Sequence, residues 1–183
     1  MCPLAAEPPT SLVGFAAAAP GQGPAPVERW NPPYCGDVGL EIRSDGSWWH
    51  QGRPINRPEL VRLFARVLRK DADGQTYLVT PAEKVDIKVA DAPFLGVEVI
   101  AEGDGGGRVV HIRTNLDEWV KLVTQHPLRF DREEGGGLKP YVLVRGRLEA
   151  RLTRASTFDL VDLAEERDGE LGLWSGGTWW AMG

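Results

Sequence analysis

Between Lys139 and Arg154 the chain sets five cations, Lys139, Arg145, Arg147, Arg151 and Arg154, against one acid, Glu149, although its net charge is −5. A guanidinium is a planar fork that matches phosphate or carboxylate, and a lysine adds a point charge. Such a run can hold an anion. It can also pair with the six acids that accompany a single Arg over residues 155–183. The three histidines, His50, His111 and His126, share no ligand spacing, so no metal is expected. His126, next to Pro127, reads as a structural partner near a helix end. "GDGGG" at 103–107 and "EGGG" at 134–137 have no helix start behind them, and read as hairpin loops rather than phosphate cradles. "DADG" at 71–74 lacks the later ligands of a calcium loop. No G-x-S-x-G, Walker A, H-E-x-x-H or dinucleotide fingerprint occurs, so no catalytic residue and no cofactor is assigned.

Tryptophan is the other resource. Four of the seven stand in adjacent pairs, inside "SDGSWWHQG" (44–52) and "SGGTWWAMG" (175–183). Both phrases read as a glycine turn leading into a Trp-Trp strand, with one ring of each pair in the core and the other outward, free to stack on a base or a partner.

The elements that must position these residues are mostly strands. "KVDIKV" (84–89) alternates Val85, Ile87 and Val89 with charges, "RVVHIR" (108–113) sets Val110 and Ile112 opposite His111 and Arg113, and "RLEARL" (147–152) does the same with Leu148, Ala150 and Leu152. Three capping-box patterns predict helices: Asn56–Glu59 before Leu60, Asn115–Glu118 before Trp119, ended by Pro127, and Ser156–Asp159 before Leu160, ended by Gly169. The first and third align at an offset of 100, each followed by an Asp-Gly turn. An internal duplication is expected, with those two helices equivalent. The fold class is α+β: antiparallel sheets or partly open barrels with about three helices.

Residues 1–29 differ in composition. They hold six of the 14 prolines and the Ala16–Ala19 run, and are expected to form a disordered tail. "SLVGFAAAA" has the length of a signal-peptide core, but no Lys or Arg precedes it, so the expected location is the cytoplasm. No stretch has the ~20 apolar residues of a membrane span, and the acidic balance argues against general nucleic-acid binding. Cys2 and Cys35 make no disulfide framework or zinc spacing. The expected division is 30–95 and 96–183.

"CGD" (35–37), "LVRLF" (60–64), "LVTPAEKV" (78–85), "DAPF" (91–94), "RTN" (113–115), "HPLR" (126–129), "PYVLVR" (140–145), "LEA" (148–150) and "WSGG" (174–177) resemble, in order, a bacterial family called domain of unknown function 1285. The resemblance runs from about Trp30 to the end. It implies a duplicated β-rich core, a second half loosely like pleckstrin-homology folds, and a site between the halves for a nucleotide-like molecule in signalling. The family pattern often has Asp where Gly39 stands and Gly where Asn56 stands. The first departure weakens an acidic role near Asp37.

These readings combine into a non-catalytic binding or sensor module for an anionic or nucleotide-like small ligand. The expected site is Lys84, Arg113, Asn115, Tyr141 and Arg145 in one cleft, with His126 and Arg129 at its rim. The alternatives are a hydrolase-type enzyme using Asp37, His126 and Glu83, and a protein-interaction adaptor using its outward Trp rings.

Overall fold

The computed structural model describes residues 23–132 and 135–182. The chain divides into two compact units, Met1–Asp91 and Ala92–Gly183. In the first, β1 (Tyr34–Ile42), β2 (Trp48–His50) and β3 (Arg53–Pro54) form one antiparallel meander, and β4 (Leu68–Lys70), β5 (Thr76–Val79) and β6 (Lys84–Val89) form another. They join into one six-stranded sheet of order β3-β2-β1-β6-β5-β4 through a parallel pairing of β1 with β6. Helix α1 (Pro58–Arg66) connects the two meanders.

The second unit repeats this plan. β7 (Phe94–Glu102), β8 (Val109–Thr114) and β9 (Trp119–Lys121) form the first meander, and β10 (Leu128–Arg132), β11 (Leu138–Arg145) and β12 (Leu148–Leu152) the second. The order is β10-β11-β12-β7-β8-β9, and the central pair, β12 with β7, is again parallel. Helix α2 (Arg154–Val161) then leads to a three-stranded sheet of β13 (Glu165–Arg167), β14 (Glu170–Ser175) and β15 (Thr178–Ala181). The class is α+β with two similar halves. Among the described residues there are two α-helices rather than three, and each large sheet is mixed rather than wholly antiparallel.

The duplication therefore lies in the sheets, at an offset of about 60 residues (Tyr34 to Phe94, Leu68 to Leu128). The helices matched at an offset of 100 are not equivalent: α1 lies between the meanders of its sheet, whereas α2 follows both. Their starts also differ from the capping-box reading. α1 begins at Pro58 after Arg57, with no side-chain cap. α2 is capped three residues earlier than expected, by Thr153, whose side chain accepts from Ser156 N. Gly169 lies in the β13–β14 turn, well past the end of α2.

The helix expected at Asn115 is a hairpin turn followed by β9. Asn115 Oδ1 accepts from Leu95 N at 3.0 Å instead of capping a helix. Thr114 Oγ1 accepts from the amides of Leu116 and Glu118, and Asp117 sits at φ 64°, outside the helical region. Beyond it Val120 and Leu122 are buried while Trp119 and Lys121 are exposed, a period of two.

The connection from β9 to β10 is short. Leu122 N donates to Val110 O, and Pro127 O accepts from Leu143 N, so the free span lies between those residues. Five steps reach at most roughly 18 Å, less than the ~24 Å width of six flat strands. Strands at opposite edges can be joined this way only because the sheet is coiled.

The alternating strands bury the faces expected of them: Val85 and Ile87, Val110 and Ile112, and Leu148, Ala150 and Leu152. Trp48 is in the core, stacked on Phe64 of α1 at 6.3 Å, while Trp49 lies under the Arg43 guanidinium. The second pair differs, since Trp179 and Trp180 are both half-buried. Gly172 leaves room for Trp179, whose ring a Cβ there would meet at 2.6 Å.

Residues 1–22 of the expected tail lie outside the described residues, but 23–29 pack against the first unit, which corrects that part of the reading. Val27 is buried, and Ala25 N donates to Arg66 O. Arg69, 8% exposed, organises this segment. Its Nη1 donates to the carbonyls of Val27 and Trp30 at 2.9 and 2.7 Å, and its Nε to Asp71 at 2.6 Å. Although burial opposes the charge, hydrogen bonds from Arg69 and Lys84 hold the Asp71 carboxyl below its ordinary value. Removing one partner of a buried pair costs about 3–5 kcal/mol. Arg69→Ala is expected to lower unfolding stability by that order in a denaturant titration, and an effect under ~1 kcal/mol would remove this network from the list of stabilising features.

Candidate functional site

Of the residues selected from sequence, Lys84 lies in the first unit and the rest in the second. Lys84 Nζ donates to Asp71 at 3.1 Å and sits 4.2 Å from the Tyr77 ring centroid. The Tyr77 hydroxyl is pushed up to about 12 by its hydrogen bond to Asp73. Arg113, Asn115 and Arg145 gather around the 115–118 turn. Arg113 pairs with Glu98 at 2.6 Å and Asp117 at 3.0 Å, while Arg145 pairs with Glu118 and lies over the Phe94 ring. Arg129 forms a second group with Tyr141: it holds Glu149 through two nitrogens and Asp131 through a third, 3.9 Å from the Tyr141 ring. His126 Nδ1 meets the Leu143 carbonyl at 3.0 Å, in the connection between β9 and β10 rather than at the expected helix end. All four of these cations hold carboxylates, so an anion arriving at any of them must compete with one already there.

The hydrolase candidates are also engaged or isolated. Asp37 accepts from Lys88 and from the amide of Gly39, and these bonds hold its carboxyl below the ordinary range. Gly39 itself has φ 75° at a register shift between β1 and β6, a left-handed position that glycine takes without strain. Glu83 sits in the β5–β6 turn, where its backbone amide donates to Thr80 Oγ1. It is 7% exposed and its Oε2 has no partner, and burial pushes its carboxyl above the usual value.

One groove gathers three cations among its described lining residues. It lies in the second unit, where β11 starts, β12 ends and α2 begins, and encloses about 430 Å³. Lys139 and Arg151 come from the two strands, Arg154, Thr157 and Phe158 from α2, and Gly135 and Gly137 from the preceding loop. Arg154 and Phe158, four apart on the helix, bring guanidinium and ring within 5.7 Å. The charge run of residues 139–154 pointed to this region, but the selected set took Arg145 from it and left out Lys139, Arg151 and Arg154. Spacing alone could not tell which of the five would line a groove. Described acids of the C-terminal segment pair instead with Arg108 and Arg167.

Two tandem copies of a six-stranded mixed sheet, the second extended by a helix and a three-stranded sheet beside a groove lined by cations, define the class of protein. Family profiles agree with this division: the DUF1285 N-terminal domain (domain of unknown function) matches residues 25–92 and the DUF1285 C-terminal domain (protein of unknown function) matches 93–182. The chain belongs to the DUF1285 family. It is similar to the crystal structure of a DUF1285 family protein from Silicibacter pomeroyi, with 43% identity over 93% of each chain and a TM-score of 0.87. A DUF1285 family protein from Shewanella baltica shares the fold at 23% identity, covering 68% of this chain and 91% of its own, with a TM-score of 0.53. No curated protein matches. Among the described residues, no helix is long and apolar enough to cross a membrane.

Glu83 gives a test with a definite sign. An acid whose folded value is raised imposes no penalty below its unfolded value, near 4.3, and destabilises increasingly as pH rises from there through the folded value. Glu83→Gln is expected to raise the melting temperature at pH 7 and to lose that advantage by about pH 4. A variant less stable than the parent at pH 7 would mean that the ionised carboxylate is satisfied.

Proposed function

We propose that this chain is a non-catalytic module that binds an anionic small ligand, with nucleotide-like molecules among the candidates, and that the ligand occupies the groove at Lys139, Arg151 and Arg154. The observation that carries this reading is the lining itself: Lys139, Arg151, Arg154 and Thr157, brought together from β11, β12 and α2, line one volume of about 430 Å³. That volume falls in the range of small-molecule pockets. Hydrogen bonds to charged groups contribute about 1.5–3 kcal/mol each, so two or three, set against the cost of association, support affinities near the micromolar range. A sensing role fits a site of this kind, because occupancy alone can report the ligand. The hydrolase alternative has less support, because His126 meets a backbone carbonyl rather than a carboxylate. The adaptor alternative rests chiefly on Trp119, 47% exposed on β9.

A thermal-shift titration with phosphate, pyrophosphate and nucleotides tests the reading. Stabilisation is expected, weakening as salt is raised. Arg154→Ala, at an exposed helix position, should reduce it tenfold or more, while Arg113→Ala, a cation matched to Glu98 and Asp117, should leave it unchanged. Loss of the response in the Arg113 variant alone would move the ligand to the 115–118 turn, and no response to any anion would end the proposal.

A further inference from the structure

Each of the two large sheets is completed when one three-stranded meander meets another edge to edge. The third meander, β13-β14-β15, has no such partner among the described residues, and both of its outer strands are edges. The phase of its ladder shows which groups are left over. Met182 N donates to Leu171 O, and Leu173↔Trp180 and Ser175↔Thr178 continue that pairing in steps of two. Bonded and non-bonded pairs alternate along an antiparallel ladder, so Trp179 and Ala181 turn their N–H and C=O groups away from β14. An open row of this kind is a template for another strand, and folded chains blunt it with charge, proline or a cover. The other edges are blunted. β3 is Arg53–Pro54, β9 carries Lys121, β10 carries Arg129 and Asp131, and β13 is three exposed charges, Glu165–Arg167. β4 lies beside the segment that Arg69 binds through the Val27 and Trp30 carbonyls. β15 is Thr-Trp-Trp-Ala, with neither charge nor proline, and its Ala181 is exposed.

We infer that β15 is an interaction edge whose occupant is β15 of a second copy of this chain, the two copies closing one six-stranded sheet across a two-fold axis. This goes beyond the anion-binding reading and does not rest on it. Two identical strands related by an axis normal to their sheet meet antiparallel, and such a contact closes on itself. Centred on Trp180, it lets Trp179 exchange main-chain hydrogen bonds with Ala181 of the partner subunit, so both open residues of each strand are satisfied. Trp180 then lies opposite Trp180 of the partner subunit in a non-bonded pair, where side chains approach most closely. Aromatic cross-strand pairs are among those that stabilise a sheet. Charge selects this edge over the opposite one. Two β15 strands bring no charged side chain to the seam, whereas two β13 strands would set Glu165 and Glu166 beside the same acids. Those acids, left on the outer edges, stop growth at six strands, so the assembly is a pair rather than a fibre.

The test is sedimentation equilibrium on the full chain from about 1 µM to about 1 mM, the span of weak to moderate association, with hydrogen exchange read at single amides. A monomer–dimer equilibrium is expected, and the Trp179 and Ala181 amides should exchange at least tenfold more slowly at the top of that range than at the bottom. Ala181→Pro removes an N–H that β14 does not use, a change that edge strands accept. It should weaken the dimer tenfold or more and leave the melting temperature of the dilute protein unchanged. Glu166→Pro, the equivalent change on the outward side of β13, should leave dimerisation as it is. If Ala181→Pro unfolds the chain, amide exchange in the parent decides. A chain that stays monomeric throughout, a dimer that Ala181→Pro does not weaken, or Trp179 and Ala181 amides whose exchange ignores concentration would each overturn the inference. A dimer lost with Glu166→Pro alone would place the contact at β13, and assemblies larger than two would exclude the two-fold register.

Discussion

In both units the first strand of one three-stranded meander lies parallel to the last strand of the next, and this single pairing governs the rest of the structure. A lone meander has two open edges and little enclosed core. Joining two of them at β1·β6 and β7·β12 satisfies two edges and makes a six-stranded sheet, but leaves the strands that the chain must connect at opposite ends of it. The connection has to return across the whole sheet. In the first unit α1 makes that return and supplies Phe64 to the core beside Trp48. In the second unit residues 122–127 make it with no helix, and the sheet coils to let them. Beside the β7·β12 pairing, Gly96 leaves little room for a side chain: a Cβ there would lie 3.0 Å from Ile112 and 3.2 Å from Leu152.

Once the second unit joins its meanders without a helix, the face of β7, β11 and β12 is left for α2, which arrives only after β12 is complete. Its approach places Arg154, Thr157 and Phe158 over the ends of β11 and β12 and sends the chain on into β13–β15. That small sheet is fastened by Ser175, fully buried, whose hydroxyl donates to Leu122 O and accepts from Val110 N. The groove is the space left between α2, the start of β11 and the end of β12. Its existence follows from the connectivity, and its charge from which strand ends happen to meet there.

Arginines among the described residues show contrasting situations. Arg69, Arg113, Arg129 and Arg145 are held by carboxylates in fixed geometry, and Arg129 and Arg145 also lie over aromatic rings. For these, desolvation and side-chain ordering have already been offset within the fold, so they serve chiefly as ties between segments. Arg154 is different. It sits on an exposed turn of a helix, beside a wet phenylalanine, at the mouth of a groove. The same residue type thus ties the fold together at some positions and faces a candidate ligand at another, and the difference lies in the acids that the topology brings near.

Much of the local structure was legible in the amino-acid order, because the forces behind it act between near neighbours. Period-two burial in "KVDIKV" and "RLEARL", the Asp-Gly turns and the concentration of cations before α2 need no tertiary knowledge. The Asn115 segment shows where this stops. Asn-Leu-Asp-Glu caps a helix if the asparagine oxygen meets an amide two or three residues on, and forms a turn if it meets the amide of Leu95 across the hairpin. Only the pairing of β7 with β8 supplies that amide. The offset-100 match between the helices misled for a related reason, since strong local signals mark helices while the repeated feature, one parallel seam per sheet, leaves no local trace. The sequence alone therefore determined which stretches alternate, where they turn and how charge is distributed. The tertiary structure decided which strands lie side by side, and so which acids Arg113, Arg129 and Arg145 meet and which side chains line the groove, because most of those contacts join residues far apart in the sequence.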